Sequence, residues 1–249
     1  MNPTAVLLGS FALLVLLRFP IGFCLGVAAL LGAWAAGLPL AVVAQRMAAG
    51  IDSFPLMAIP FFILAGELMV EGKIADRIMA MANVLVGRIR GGLGMVNVVD
   101  SMFFGGISGS TVADVSSLGA VMIPAMVRQG YHADFAVALT ITTATQAVII
   151  PPSHNMVIYS LASGGTSVGR LFLGGIIPGI LLGLSLLLAV YILARVRNYP
   201  RGEKVGLREA LRALRDGFAA LLAAVIIMGG IVSGIFTATE SAAIASVYA

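Results

Sequence analysis

Two short polar segments interrupt apolar sequence, and their residue types are suited to binding ions. Residues 105–111 read GGISGST, and residues 149–155 read IIPPSHN. In the first, glycines permit close backbone approach and serine and threonine supply hydroxyl oxygens. Hydroxyl and carbonyl oxygens suit a hard cation, whereas free N–H groups at the start of a helix suit a carboxylate. The simpler alternative for this segment is close helix packing by small residues.

The second segment combines a helix break with polar side chains. Pro151 and Pro152 have no backbone N–H, so carbonyls one turn earlier lose their helical partners. A proline kink is common in membrane helices and is the simpler interpretation. A kink alone, however, would require neither a second proline nor polar residues on both sides of it. Those polar residues are Thr142, Thr143, Thr145 and Gln146 before the break and Ser153, His154 and Asn155 after it.

Other polar residues are weaker candidates. Asp114 could contribute to a cation site or cap the helix that follows the first segment. Asp100 could pair with a neighbouring helix, and His154 is either a proton carrier or a structural hydrogen-bonding residue. The sequence contains no nucleophile–base arrangement, metal-ligand cluster or phosphate-binding loop. We therefore expect no enzyme activity.

The composition places these segments in a membrane protein. Of 249 residues, 60% are apolar and only 10% are charged, with a mean hydropathy of +1.06. Soluble domains carry about 25% charged residues. The pI of about 9.6 reflects basic loops rather than a nucleic-acid-binding surface. The predicted class is an all-α polytopic membrane protein.

The apolar runs and the basic residues between them predict the topology. Arginine and lysine concentrate between residues 195 and 215, which places that loop in the cytoplasm and, by counting back, the N-terminus in the periplasm. The segment around Lys73, Arg77, Arg88 and Arg90 is also predicted to be a cytoplasmic loop. The runs lie near residues 4–17, 20–36, 53–70, 92–127, 135–163, 171–194 and 218–236, with a last one from about 239.

Two of these runs are predicted to be irregular. Both ends of 92–127 face the cytoplasm, yet two full crossings need about 20 residues each plus a turn. We therefore predict a re-entrant helical hairpin there and a broken helix at 135–163. The stretch 195–217 carries apolar residues at helical spacing among basic ones, which predicts a short amphipathic connector helix or an ordinary basic loop. Residues 39–50 are predicted to form a short interfacial helix.

The polar segments and the motifs around them resemble those of a known family. Residues 104–114 (FGGISGSTVAD), 119–126 (GAVMIPAM), 150–153 (IPPS) and 171–179 (LFLGGIIPG) are similar to the large membrane subunit of tripartite ATP-independent periplasmic (TRAP) transporters. Further similarity lies at 59–66 and 230–240, so the resemblance covers nearly the whole chain.

The resemblance implies the architecture and the activity. It implies an ion-transporter-type fold of two inverted repeats, with the first repeat at 1–194, the connector at 195–217 and the start of the second repeat at 218–249. It also implies sodium-driven import of an organic acid across the bacterial inner membrane by an elevator mechanism. The implied partners are a periplasmic substrate-binding protein, a small four-helix membrane subunit and membrane lipid.

The resemblance also assigns residues. The family's first sodium site corresponds to Ser108, Ser110, Gln146, Ile149 and Pro151, several of them through backbone carbonyls. Substrate contacts are expected at Gly109, Thr111, Ser153, His154 and Asn155. Sodium is the expected coupling ion, and no organic cofactor is expected.

Two alternatives remain open from the residues alone. One is a sodium–carboxylate symporter that needs no binding protein. The other is a membrane scaffold whose two breaks only help helices to pack.

Overall fold

The computed structural model describes residues 2–202 and 205–249, apart from the side chains of Ile107 and Ser108. Throughout these residues the secondary structure is helical, and an isolated β-bridge between Arg90 and Arg201 is the single extended pairing found there. The chain divides into two compact units, one ending at Ser53 and the other beginning at Phe54.

The first unit contains three apolar helices. They are α1 (Pro3–Leu16), α2 (Ile21–Ala35) and α3 (Leu40–Ile51). The Asn2 side chain caps α1 by accepting a hydrogen bond from the Thr4 N–H. Helices α1 and α2 pack closely where Leu7 lies against Gly32. The helix boundaries agree with the predicted runs at 4–17, 20–36 and 39–50.

The second unit contains the polar segments. A 3₁₀ turn at Phe54–Met57 leads into ten helices within the described residues: α4 (Ala58–Glu71), α5 (Ile74–Val86), α6 (Gly92–Ser108), α7 (Thr111–Arg128), α8 (Ala133–Ala144), α9 (Gln146–Ile149), α10 (His154–Ala162), α11 (Val168–Val196), α12 (Leu207–Val232) and α13 (Ala238–Tyr248).

The lengths and composition of these helices confirm a polytopic membrane protein. In the described part of the chain, four helical segments are long and apolar enough to cross a bilayer: 54–71, α7, α11 and α12. A fifth is possible if the bent pair α8–α9 and α10, which changes direction by 55°, forms one span. Many large apolar side chains are exposed on this unit, as expected for a surface that contacts lipid.

Helices α6 and α7 form a helical hairpin. The Asn97 amide, near the start of α6, contacts the sulfur of Met126, near the end of α7, at 3.9 Å. Two consecutive helices that meet in this way run antiparallel. With 18 residues, α7 is about 27 Å long, close to the roughly 30 Å of a hydrocarbon core. The depth to which this hairpin enters the membrane stays a prediction.

One segment predicted as a basic loop is a helix. Residues 74–86 form α5. Ile74, Ile78 and Met81 recur at helical spacing and form an apolar face on this helix, separate from its charged residues. Ile78 is fully buried and belongs to a cluster with Ala220 and Ala223 of α12. The loop prediction was wrong because the positive-inside rule considers only the number of basic residues. It takes no account of the apolar residues at helical spacing among them.

The amphipathic stretch of the connector does not end before the following apolar run. Helix α12 continues from Leu207 through Gly217 to Val232. Gly217 was expected to mark a boundary, but a Cβ there would lie 2.5 Å from the Cβ of Met81. Its role is to let α12 approach α5, and a glycine in a tightly packed helix need not break it.

Candidate functional site

The first polar segment forms the turn of the α6–α7 hairpin. Gly109 adopts the left-handed conformation, with φ of 60°, and its N–H donates to the Gly105 carbonyl at 2.8 Å. Ser110 is extended, and its hydroxyl caps α7 by accepting from the Ala113 N–H at 3.3 Å. The turn therefore places the carbonyl end of α6 beside the N–H end of α7.

The second polar segment breaks the next span in the same way. Helix α9 ends at Ile149, Ile150 and Ser153 are extended, and α10 begins at His154. Since Pro151 and Pro152 have no N–H, the carbonyls of the last turn of α9 have no helical donors beyond them. This break also juxtaposes a carbonyl end with an N–H end.

The two breaks lie directly against each other. The Asn155 amide donates to the Gly109 carbonyl at 3.1 Å. A Cβ on Gly109 would lie 2.9 Å from both the Ser153 Cα and the His154 nitrogen, and one on Gly106 would lie 3.2 Å from the Pro151 carbonyl oxygen. Two glycines of the hairpin thus allow its tip to touch the backbone of the broken helix. The N-termini of α7 and α10 meet at this point.

The residues assigned to substrate lie mostly at this contact. Gly109, Ser153, His154 and Asn155 are brought together, and Thr111 is the first residue of α7. Ser153 is fully buried, and its hydroxyl has no hydrogen-bond partner among the described residues. Beside the contact is a cavity of about 200 Å³ between α4, the hairpin and α10. Its lining includes Glu67, Phe104, Ser110 and His154.

The residues assigned to sodium divide between two faces. Ser110 caps α7, and the Pro151 carbonyl faces Gly106 of the hairpin. The Gln146 side chain and the Ile149 carbonyl instead lie toward α11, close to Gly183 and Gly175 respectively. The Ser108 side chain lies outside the described residues. Whether these five positions form one ion site stays a prediction.

Sequence reasoning missed a polar network that joins α6 to α8. The Asn97 amide donates to the Thr140 hydroxyl at 2.8 Å, and its carbonyl oxygen accepts from the Thr143 hydroxyl at 3.4 Å. Ser101 donates to Thr143 at 3.2 Å, and the Gln146 amide donates to the Thr143 carbonyl at 3.1 Å. The sequence signal that could have revealed it is the spacing of these polar residues. Asn97 and Ser101 are four positions apart on α6, and Thr140 and Thr143 are three positions apart on α8, so each pair shares one helix face. This network holds the hairpin against the broken helix.

Sequence reasoning also missed a row of glycines on α11. Gly175, Gly179 and Gly183 are buried at intervals of four residues. A Cβ on these residues would lie 2.4 Å from the Ile149 oxygen, 2.5 Å from Ile150 and 2.4 Å from Met102. The signal was the small-xxx-small spacing, which lets membrane helices approach closely. Through these glycines α11 packs closely against the broken helix at Gln146, Ile149 and Ile150 and against Met102 of α6.

Asp100 is a buried carboxylate within the hairpin. Its side chain is completely buried, and neither oxygen has a hydrogen-bond partner among the described residues. The groups that interact with it electrostatically, Asp114 and Asp76, are acidic as well. The expected pairing of Asp100 with a neighbouring helix is therefore absent from the described residues. Burying an unpaired charge costs more than burying a neutral polar group of the same size, so the Asp100 carboxylate reduces the stability of the fold.

We expect Asp100→Asn to stabilise the purified protein, because asparagine has nearly the same shape and cannot carry the charge. The gain should be about 1–3 kcal/mol, or roughly 2–12 °C in the thermal denaturation midpoint in detergent. The matched control is Asp134→Asn, since Asp134 is exposed in the first turn of α8 and should give no gain. A lower midpoint for Asp100→Asn would contradict this account.

The comparisons with known proteins identify the family. The model of the family described as "Tripartite ATP-independent periplasmic transporter, DctM component" matches residues 8–249. The chain belongs to this family. The resemblance seen in its motifs is confirmed over nearly the whole sequence. The TRAP motifs at 104–114 and 150–153 are the two breaks that the fold brings into contact.

Relatives of this TRAP chain carry several substrate names. It is 45% identical to the C4-dicarboxylate TRAP transporter large permease protein DctM of Vibrio cholerae, over 94% of this chain and 52% of that protein. It is 46% identical to the sialic acid TRAP transporter large permease protein SiaM of the same species, over 83% and 48%. It is 42% identical to the isethionate TRAP transporter permease protein DctMQ of Oleidesulfovibrio alaskensis, over 99% and 39%.

The chain spans about half the length of the curated relatives it matches. The relatives DctM, SiaM and DctMQ are named as transporter permeases and not as enzymes.

Proposed function

We propose that this chain is part of the large membrane subunit of a sodium-coupled secondary transporter of the bacterial inner membrane, which imports an organic acid by an elevator motion. The proposed partners are a periplasmic substrate-binding protein and a small four-helix membrane subunit. Family membership supports this proposal, as do the names of the relatives. The observation that carries it is the contact between the hairpin tip and the broken helix.

That contact provides groups for both a cation and a carboxylate. Helices α6 and α9 end at the breaks, and their free carbonyls carry partial negative charge suited to Na⁺. Helices α7 and α10 begin there, and their N–H ends suit a carboxylate. The proposed sodium ligands are Ser108, Ser110, Gln146, Ile149 and Pro151. The proposed substrate contacts are Gly109, Thr111, Ser153, His154 and Asn155.

Ser153 is favoured among the proposed substrate contacts for two reasons. Its buried hydroxyl has no partner among the described residues, and its Cα would lie 2.9 Å from a Cβ at Gly109. Burial without a partner costs free energy, and a bound carboxylate would supply the missing acceptor. The relatives differ in the acid that their names give, so the backbone N–H groups are proposed to bind the anionic group, carboxylate or sulfonate, that each of these acids carries. The side chains of the proposed substrate contacts would then determine which acid is selected.

The test is uptake of a labelled organic acid into proteoliposomes that hold the complete transporter, with the binding protein outside. We expect uptake to require both a sodium gradient and the binding protein. Ser108→Ala/Ser110→Ala should raise the sodium concentration for half-maximal uptake by about tenfold or more, because it removes two proposed ligand oxygens. The matched control is Ser116→Ala, since the exposed Ser116 hydroxyl donates to the Val112 carbonyl of its own helix at 2.8 Å.

Three results would contradict parts of the proposal. Uptake without the binding protein would indicate an ordinary symporter. Uptake that is indifferent to sodium would remove the ion site. An unchanged sodium requirement in the double variant would place the ion elsewhere.

A further inference from the structure

Four arginines line one small cavity at the end of α11. The cavity has a volume of about 190 Å³, and the described residues that line it include no acidic one. Two arginines precede α6, one belongs to the last turn of α11, and one lies in the connector that follows. The lining comprises Arg88, Ile89, Arg90, Tyr191, Arg195 and Arg201.

The backbone holds these arginines together. Arg90 and Arg201 form an antiparallel β-bridge. On either side of it the Gly91 N–H donates to the Pro200 carbonyl at 3.0 Å, and the Gly202 N–H donates to the Gly87 carbonyl at 3.1 Å. These bonds fix the segment before α6 against the segment after α11. The arginines are therefore adjacent because of the fold and not because of their sequence positions.

Side-chain contacts orient two of the four guanidinium groups. Arg88 donates to the Val205 carbonyl at 2.8 Å. The guanidinium of Arg195 lies over the ring of Tyr191, 4.9 Å from its centre. A stacked guanidinium keeps its N–H groups available at the edge for a planar or tetrahedral anion. The site is thus partly preorganised.

No carboxylate of the described residues lines the cavity to balance this positive charge. Within the described residues, the single ion pair closer than 4.0 Å joins Arg215 to Asp216, and neither lines the cavity. Four guanidinium groups around one small space repel one another, and an anion between them would relieve that repulsion. Arginine is the side chain whose fork of donors matches phosphate.

A stripe of apolar side chains leads along α11 to the same cavity. Leu181, Leu184, Leu188 and Ile192 are each more than half exposed, and they precede Arg195 at helical spacing. From Leu184 to Arg195 the helix rises about 16 Å, which is close to half the thickness of a hydrocarbon core. A phosphate held by the arginines would thus place its acyl chains along the exposed stripe.

We propose that this cavity, lined by Arg88, Arg90, Arg195, Arg201 and Tyr191, binds the phosphate headgroup of an anionic phospholipid. The acyl chains of that lipid lie along Leu184, Leu188 and Ile192. The lipid joins α11 to the segments before α6 and after α11. This role is independent of the proposed transport activity.

The test is native mass spectrometry of the detergent-purified protein titrated with phosphatidylglycerol, phosphatidylcholine or inorganic phosphate. Phosphatidylglycerol should bind at least about tenfold more tightly than phosphatidylcholine. Arg90→Gln/Arg195→Gln should weaken phosphatidylglycerol binding about 30-fold, as expected for two lost charges. Arg90→Lys/Arg195→Lys, which keeps the charge, should recover most of the affinity.

The matched control is Arg128→Gln/Arg208→Gln, which removes two exposed arginines outside the cavity and should change affinity by less than about threefold. Equal weakening in this control, or equal binding of the two lipids, would overturn the proposal. To distinguish a lipid from free phosphate, Leu184→Ser/Leu188→Ser should weaken phosphatidylglycerol binding and leave inorganic phosphate unaffected. Tight binding of inorganic phosphate together with no effect of this apolar-stripe variant would overturn the assignment to lipid.

Discussion

Replacing Gly109 with alanine should reduce the proposed sodium-dependent uptake by the complete transporter at least about tenfold, while the protein still reaches the membrane. Two effects act together at this residue. Its φ of 60° lies in the left-handed region, which costs an alanine about 1–2 kcal/mol. A Cβ would also lie 2.9 Å from backbone atoms of Ser153 and His154, which cannot move aside as a flexible side chain can. The hairpin tip would have to separate from the broken helix.

A matched variant separates the two effects. Gly164 also has a positive φ, of 84°, but a Cβ there would meet nothing within 4 Å. Gly164→Ala therefore carries the conformational cost without the steric one and should leave uptake within about twofold of the wild type. The measurement is initial uptake rate at matched amounts of reconstituted protein. A similar loss in both variants would show that the contact at Gly109 is not what transport requires.

The second large effect is expected at Gly175, where alanine should destabilise the protein by about 1–3 kcal/mol. A Cβ there would lie 2.4 Å from the Ile149 carbonyl oxygen and 2.5 Å from the terminal methyl of Met156. The methionine can change rotamer, but the carbonyl belongs to the backbone. Helix α11 would have to move away from the broken helix, or α9 would have to shift toward the hairpin.

The control for this variant is the adjacent glycine. A Cβ on Gly174 would meet nothing within 4 Å, so Gly174→Ala should be neutral or slightly stabilising, since alanine favours helix over glycine. The thermal denaturation midpoint in detergent should fall by several degrees for Gly175→Ala and not for Gly174→Ala. Equal midpoints would contradict the close approach of α11 to Ile149.

Helix boundaries followed largely from the sequence, and the exceptions have clear causes. The runs at 4–17 and 20–36 correspond to α1 and α2, and the break at Pro151 falls where the missing N–H groups require it. Helix α5 was mistaken for a loop because its charges were counted and its buried face was not. Helix α12 runs through Gly217 because a glycine at a packed interface serves close approach, which local sequence does not reveal.

The candidate site, like the helix boundaries, was predicted from the sequence only in part. The residue types at 105–111 and 149–155 marked both breaks as places for ions, because such residues are costly in an unbroken membrane helix. Which oxygens face which neighbour was not predictable. Gln146 and Ile149 lie toward the glycines of α11, whereas the Pro151 carbonyl lies toward Gly106. That direction depends on how three helices pack and not on the identity of any one residue.

By itself, the sequence determined the membrane class, the two breaks and the TRAP family, because each follows from local composition or from a contiguous motif. The tertiary structure alone decided that Gly109 touches Ser153, that Asp100 is buried without a partner among the described residues, and that four arginines surround one cavity. Gly109 and Ser153 are about 40 positions apart, and the arginines before α6 are more than 100 positions from those at and after the end of α11. Contacts over such separations depend on the packing of whole helices, which no local pattern specifies.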